Sequence, residues 1–304
     1  MNAIILAGGK GSRLMPLTKD VPKPMLDVAG KPIIDYVLSH LFYYGINNVV
    51  FSLGYKASDV VNYCKPLLKD KFVCVVESSP LGTCGGVKLA ENLLDDVFVV
   101  VSGDCMCNVD LSAMIGTHKR SGAEATIAVT KVSDPRLYGV TRVGDDGRVV
   151  DFHEKPNDDR FGNLVNMGVY VINKSALSGV PAGTMYDFSL NLFPKLIEKR
   201  TVFTYNHDGY WSDVGDFKSY FNANKYFINH TFYPSISDFL NGESEGVIKT
   251  KSARVFGKIT ETVVGAGATV RSGVMLNNCV VLPGATAEVS CSNCIIHGKS
   301  LIKI

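Results

Sequence analysis

Apolar runs alternate with amphipathic stretches through the first half of the chain. Residues 3–6, 48–52, 72–77 and 97–102 are short and almost continuously apolar, the pattern of strands buried on both faces. Between them, 33–44 and 57–65 carry apolar residues at helical spacing. Strand, helix and strand in repetition predict an α/β fold with a parallel sheet covered on both faces. From 126 to 152 shorter strands take over, with Asp145-Asp146-Gly147 as a turn signal. A further strand is expected at 166–172, and helices at 187–197 and 216–229. The pattern weakens across 231–246 into Pro, Ser, Asp, Asn and Gly, read as a linker with one short helix at 235–240. Beyond it, Val264, Val270, Leu276 and Leu282 place an aliphatic residue every six positions, with small residues between. Such a hexapeptide repeat predicts a β-helix, here of two or three coils with the register faltering at Glu288. The expected organisation is an α/β domain over 1–230, a linker over 231–246 and a β-helix over 247–304.

The first apolar run ends in Leu6-Ala7-Gly8-Gly9-Lys10-Gly11-Ser12-Arg13-Leu14. Gly8, Gly9 and Gly11 let the backbone turn sharply and bring bare N–H groups close to a ligand. Arg13 and Lys23 add two cations beside those donors, a combination that suits a polyphosphate. No G-x-x-x-x-G-K-[ST] string occurs, so the loop is not a P-loop, and its glycine spacing excludes the dinucleotide fingerprint. Ligands of parallel sheets sit beyond the carboxyl ends of the strands. Gly103-Asp104 lies at such an end and offers a carboxylate to Mg²⁺, with water and phosphate oxygens filling the octahedron. Asp110 is the competing carboxylate nearby, but its place before Leu111 suits a turn or helix start.

A length of 304 residues admits one large core and a smaller module. Net charge of +2 gives no case for nucleic acid or a membrane surface. No apolar run reaches the roughly 18 residues that span a bilayer. A strand beginning at residue 3 leaves no room for a signal peptide, so a cytoplasmic location is expected. Cys291-Ser-Asn-Cys294 has C-x-x-C spacing, but no second pair or His-x-x-x-His lies near it. Reduced thiols are therefore expected for all eight cysteines, rather than a zinc or redox site.

The string G-G-x-G-[ST]-R-L-x-P-L-T at 8–18, followed by Pro22-Lys23-Pro24-Met25, resembles the signature of the sugar-phosphate nucleotidyltransferases. Further segments resemble the family in order along residues 1–230. They are Glu77-Ser78-Ser79-Pro80-Leu81-Gly82-Thr83, Tyr138-Gly139-Val140, Phe152-His153-Glu154-Lys155-Pro156, Val165-Asn166-Met167-Gly168 and Gly209-Tyr210-Trp211-Ser212-Asp213-Val214-Gly215. The resemblance implies a Rossmann-like, mostly parallel catalytic sheet, and for the tail a left-handed β-helix. It implies attack by a sugar 1-phosphate on the α-phosphorus of a nucleoside triphosphate, with pyrophosphate leaving. Nucleotide contacts would come from Leu6, Ala7, Gly8, Gly9, Gly11, Ser12, Arg13, Glu77, Pro80, Gly82 and Thr83. Sugar-phosphate contacts would come from Lys23, Gly139, Glu154, Lys155 and Asn166. Arg13 and Lys23 would act on the phosphates, and Asp104 and Asp213 would hold Mg²⁺.

For Glu77 two readings stand. A carboxylate only accepts hydrogen bonds, and guanine offers two adjacent donors, whereas uracil and thymine offer one N–H between two carbonyls. Alternatively, Glu77 caps backbone N–H groups of its own loop. Cys84, Gly86 and Met167 depart from the family pattern, the first two near the base and the third near the sugar. The favoured substrates are GTP and mannose 1-phosphate. Uridylyl or thymidylyl transfer to glucose 1-phosphate, guanylyl transfer to a heptose 1-phosphate, and a non-catalytic regulatory subunit are the alternatives. The flat sides of the β-helix suit self-association into a homo-oligomer.

Overall fold

The apolar runs of the first half assemble into one nine-stranded sheet. Its strands are β1 (Ala3–Ala7), β2 (Val49–Leu53), β3 (Phe72–Val76), β4 (Val97–Ser102), β5 (Ala125–Lys131), β6 (Gly139–Val143), β7 (Val149–Glu154), β8 (Leu164–Asn173) and β9 (Val202–Asn206). The computed structural model describes residues 1–230, 240–241, 247–250 and 252–304. The chain packs as two units, Met1–Gly9 with His40–Trp211, and Lys10–Ser39 with Ser212–Ile304.

In the first unit the sheet order is β7-β6-β8-β4-β1-β2-β3, and β5 pairs with both β8 and β9. β4, β1, β2 and β3 are mutually parallel, as the expected Rossmann-like sheet requires. The other half is largely antiparallel: β8 runs against β4 and β5, and β6 against β7. The reason is connection length. A tight turn closed by Gly147, at φ 79°, joins β6 to β7, and such a turn cannot carry the long crossover of a parallel pair. The central strands are buried on both faces, with Ile4, Ile5, Phe51, Val99 and Val100 at 4% exposure or less. Each such side chain contributes about 1.5–3 kcal/mol on burial. Ile4, Val50, Phe98 and Val100 share a core with Cys84 and Val87 and with Phe188 and Phe193.

The helices are α1 (Ile33–Tyr43), α2 (Ala57–Leu68), α3 (Gly82–Leu89), α4 (Leu111–Ser121), α5 (Phe193–Glu198) and α6 (Phe217–Asn229). α2 continues through Pro66, past the expected end at 65, and buries Leu68. The single helix expected over 187–197 is instead a π-turn, Phe188–Leu192, running into α5. The Asn191 side chain accepts from Asp187 N at 2.7 Å, and Leu192 N reaches back to Asp187 O, which widens this turn. None of the described helices is long and apolar enough to cross a membrane.

In the second unit, α6 opens with a capping box formed by Asp216 and Ser219. Asn224 Oδ1 accepts from Ala29 N at 2.9 Å, and the Tyr220 hydroxyl donates to Asp27 O. The C-terminal strands β10 (Ile248–Thr250), β11 (Val263–Val264), β12 (Met275–Val281), β13 (Cys291–His297) and β14 (Ser300–Lys303) build a β-helix. Its parallel register runs Ile248, Val263, Val280, Ile295, so successive coils are 15 or 17 residues long. Val264, Val270, Leu276 and Leu282 are all buried, as the six-residue spacing predicts. Regular pairing goes beyond Glu288: β13 adds another layer, and β14 closes it as an antiparallel hairpin. The expected linker at 231–246 lies almost wholly outside the described residues. Of the helix expected at 235–240 only Leu240 is described, and it begins a two-residue strand.

Candidate active site

The residues singled out by sequence fall into two groups, one in each unit. In the first unit, the carboxyl ends of β1, β2 and β4 lie side by side. Gly103 N donates to Leu6 O at 2.8 Å, which fixes the turn carrying Asp104 against the end of β1. A Cβ on Gly103 would lie 3.0 Å from that same carbonyl and 3.1 Å from Ala7 Cβ, so glycine permits the approach. Asp104 is half-buried there. Tyr55 N donates to Gly8 O at 3.1 Å, and a Cβ on Gly54 would lie 2.7 Å from that oxygen, so Gly54 lets the two strand ends meet. Nothing lies within 4 Å of where a Cβ on Gly9 would stand, so its backbone faces open space. Asp110 proves to be the N-cap of α4, its Oδ1 accepting from Ala113 N at 2.9 Å.

Glu77 follows β3 and turns inward. Its Oε2 accepts from Leu81 N at 3.0 Å, and its Oε1 accepts from Ser52 Oγ at 3.0 Å. Both oxygens are thus engaged by the loop and the neighbouring strand, which is the capping arrangement. The departure at Gly86 explains the posture, because a Cβ there would lie 2.6 Å from Ser52 Oγ and 2.7 Å from Glu77 Oε1. Gly8 is against the same carboxylate, its virtual Cβ 3.3 Å from Glu77 Oε1. Sequence spacing alone did not reveal this dependence of Glu77 on Ser52 and Gly86.

Gly82 and Thr83, expected at the nucleotide, anchor the loop to 184–188. Thr83 N and Oγ1 both donate to Asp187 Oδ1, at 2.9 and 3.0 Å, and Thr83 Oγ1 accepts from Phe188 N at 3.0 Å. Gly82 has φ +73°, and a Cβ there would lie 2.9 Å from Tyr186 O. Gly82→Ala therefore combines left-handed strain with a backbone clash. It is expected to cost about 2–4 kcal/mol of stability, read as a lower urea midpoint at unchanged slope. Pro80 is exposed beside them.

Of the expected sugar-side residues, Gly139, Glu154 and Asn166 lie on β6, β7 and β8, and Lys155 directly follows β7. Glu154 pairs across the ladder with Gly139, where a Cβ would run into the Phe152 ring and lie 2.9 Å from Glu154 Oε2. Lys155 has φ 46°, donates its backbone N–H to Tyr138 O at 3.0 Å and holds Glu154 Oε1 at 3.1 Å. Asn166 spans a bulge in β8: its Nδ2 donates to Tyr170 Oη and its Oδ1 accepts from Gly168 N, both at 2.9 Å. The bulge turns Met167 O toward Trp211, whose Nε1 donates to it at 3.0 Å, and the Trp211 ring meets Tyr138 edge-on. Trp211 and Tyr138 thus brace the start of β6 at Gly139 and the bulge of β8 beside Asn166.

In the second unit, Gly11, at φ +62°, precedes a short 3-10 turn, Ser12–Leu14. Thr18 Oγ1 donates to Gly11 O at 2.8 Å, and buried Leu14 and Leu17 anchor the segment, leaving Ser12 and Arg13 exposed. A Cβ on Gly11 would lie 3.2 Å from Lys23 Cβ, so the glycine lets Lys23 pack beneath the loop. Lys23 is 8% exposed and donates from Nζ to Asp213 O at 2.9 Å. Asp213 Oδ1 accepts from Gly215 N at 3.2 Å. A Cβ on Gly215 would lie 2.7 Å from Asp213 Oδ2 and 3.3 Å from Arg13 Nη2. Arg13, Lys23 and Asp213, far apart in sequence, thus gather around Gly11 and Gly215. Asp104 in the first unit and Asp213 in the second each offer carboxylate oxygens, hard donors of the kind that Mg²⁺ takes and a thiophilic ion does not.

A family profile described as nucleotidyl transferase matches residues 2–230. Mannose-1-phosphate guanylyltransferase 1 of Arabidopsis thaliana is 33% identical over 297 residues, covering 93% of this chain and 82% of that protein. The mannose-1-phosphate guanylyltransferase of Mycobacterium tuberculosis (strain ATCC 25618 / H37Rv) is 30% identical, covering 96% of this chain and 82% of the relative. The structure of HddC from Yersinia pseudotuberculosis complexed with GMP-PN matches with a TM-score of 0.64 and 30% identity, over 74% of this chain and 99% of that one. The sheet, its loop ends and these matches define a nucleotidyltransferase. The chain belongs to the nucleotidyl transferase family, whose members of this kind take a nucleoside triphosphate and a sugar phosphate as substrates.

Proposed function

We propose that the chain joins GTP and mannose 1-phosphate into GDP-mannose, releasing pyrophosphate. The observation that supports base and sugar together is the match to two mannose-1-phosphate guanylyltransferases across more than nine-tenths of the chain. The GMP-PN in the HddC complex, a guanine nucleotide, agrees with that base. In this reading an oxygen of the sugar phosphate attacks the α-phosphorus, and the bond to the pyrophosphate oxygen breaks. Leu6, Ala7, Gly8, Gly9, Gly11 and Ser12 present backbone to the triphosphate, and exposed Arg13 offers its fork to the leaving phosphates. Lys23 stabilises charge at the α-phosphate or the incoming phosphate. Asp104 and Asp213 would be the residues to hold Mg²⁺, which would supply charge neutralisation at the phosphates. Glu154, Lys155, Asn166 and Gly139 meet the sugar phosphate. A cytoplasmic location and self-association through the β-helix belong to the same proposal, the latter read by light scattering.

The test is pyrophosphate release across GTP, UTP, dTTP, CTP and ATP against mannose, glucose, N-acetylglucosamine and heptose 1-phosphates. Turnover with GTP and mannose 1-phosphate supports the reading. A signal confined to UTP or dTTP replaces the base, one with the heptose replaces the sugar, and silence throughout points to a regulatory subunit. Glu77→Gln sharpens the base question. An amide at this position still serves Leu81 N and Ser52 Oγ, one as acceptor and one as donor. The expected outcome is a GTP-over-UTP preference within about threefold of the parent, as the capping arrangement requires. A collapse of that preference would place the carboxylate on the base edge instead.

A further inference from the structure

The β-helix stacks three cysteines that the chemistry above does not use. Cys279 on β12 and Cys294 on β13 are register partners in adjacent coils. Each follows an asparagine in the left-handed region, Asn278 at φ 52° and Asn293 at φ 53°. The two asparagine side chains stack, Asn278 Nδ2 donating to Asn293 Oδ1, so the same corner is repeated and both thiols turn inward. Cys291 comes from the start of β13, three residues before Cys294. The sulfurs lie 3.0 Å (Cys291–Cys294), 3.6 Å (Cys279–Cys294) and 4.0 Å (Cys279–Cys291) apart. Among the described residues, this is the one group of three or more His, Cys, Asp or Glu side chains whose ligand atoms all fall within 4.8 Å of one another.

We propose that Cys279, Cys291 and Cys294 form a zinc site that ties the last coils of the β-helix together. Three thiolates at tetrahedral angles around zinc, at about 2.3 Å each, stand about 3.8 Å apart. The observed triangle is close to that. The point equidistant from its corners is about 2.1 Å from each, so a zinc ion at normal bond length sits about 1 Å above the sulfur plane. Cys279 and Cys294 are buried, whereas Cys291 is half-buried, so the ion enters and takes a fourth ligand from solvent on the Cys291 side. On binding, three S–H protons leave to solvent and three Zn–S bonds form, giving one net negative charge. The C-x-x-C pair alone looked incomplete. The missing ligand stands 15 residues earlier, one coil back, and the repeated Asn-Cys step at 278–279 and 293–294 is its sequence signal.

The experiment uses the full chain, purified under reducing conditions with zinc, then dialysed against metal-free buffer. Elemental analysis is expected to find one zinc per chain. Replacement by Co²⁺ should give thiolate-to-cobalt charge transfer in the near ultraviolet and the visible bands of a tetrahedral ion. Cys291→Ser, at a half-buried position, should weaken zinc affinity at least tenfold, as should Cys279→Ala. Cys74→Ser, on β3, should leave it unchanged. A chain that retains no zinc, equal affinity in the Cys291→Ser variant, or a Cys291–Cys294 disulfide persisting in the reducing, zinc-containing buffer overturns the proposal.

Discussion

Asp104→Asn is expected to lower turnover by about 100-fold or more, the scale of lost electrostatic stabilisation at a reacting phosphate. The substitution keeps shape and removes one charge. The turn that carries the residue is held by backbone, through Gly103 N on Leu6 O and the close approach of Gly103 to Ala7, and an amide at 104 disturbs neither. Stability should therefore stay within about 1 kcal/mol of the parent, measured by urea unfolding. A neutral amide oxygen is a poorer ligand for a hard cation than a carboxylate. The variant should accordingly need more Mg²⁺ for half-maximal pyrophosphate release. Near-parental turnover with an unchanged Mg²⁺ requirement would remove Asp104 from the site.

The parallel half of the sheet was legible because strands buried on both faces leave uninterrupted apolar runs. β4 has the bounds its run predicts, β1 and β3 differ by one residue at one end, and β2 is shifted by one residue at both ends. The Gly8–Arg13 loop was legible for a related reason: glycine, cation and strand end stand next to one another in the chain. What escaped was everything set by residues distant in sequence. Glu77 announces a carboxylate after a strand, but its direction is decided by the empty space at Gly86 and the hydroxyl of Ser52. Thr83 and Gly82 carry the family's pattern, yet their polar groups and backbone are used on Asp187 and Tyr186, which no local spacing indicates. The π-turn before α5 has helical periodicity, and the Asn191 side chain on Asp187 N together with the Leu192 N bond to Asp187 O separates it from a plain helix. In the β-helix the six-residue spacing identified the buried positions correctly. The coils alternate between 15 and 17 residues, and Asn278 and Asn293 adopt left-handed backbone at the same corner of successive coils, neither of which the spacing encodes.

Lys23→Met is expected to cost about 100-fold or more in turnover while the fold persists. Lys23 is unusual among charged residues in being buried to 8% exposure, its stem against Gly11 and its ammonium on Asp213 O. The ammonium donates to the carbonyl of Asp213, so the fold positions it. Pro22 and Pro24 fix the backbone on either side, which keeps the side chain from relaxing away. Methionine preserves the stem packing and deletes the charge, whereas Lys23→Ala deletes both. Comparing the two separates catalysis from structure. If Lys23 acts by charge, both variants lose turnover by similar factors, and only Lys23→Ala loses stability, by about 1–3 kcal/mol for the vacated stem. If it acts only by packing its stem beneath the loop, Lys23→Met retains a turnover within tenfold of the parent. A loss in kcat with KM for GTP nearly unchanged would place the ammonium on charge that develops during transfer, since a contact equally strong in the ground state would appear in KM. Parental rates in both variants would take Lys23 out of the reaction and leave Arg13 as the cation of the loop.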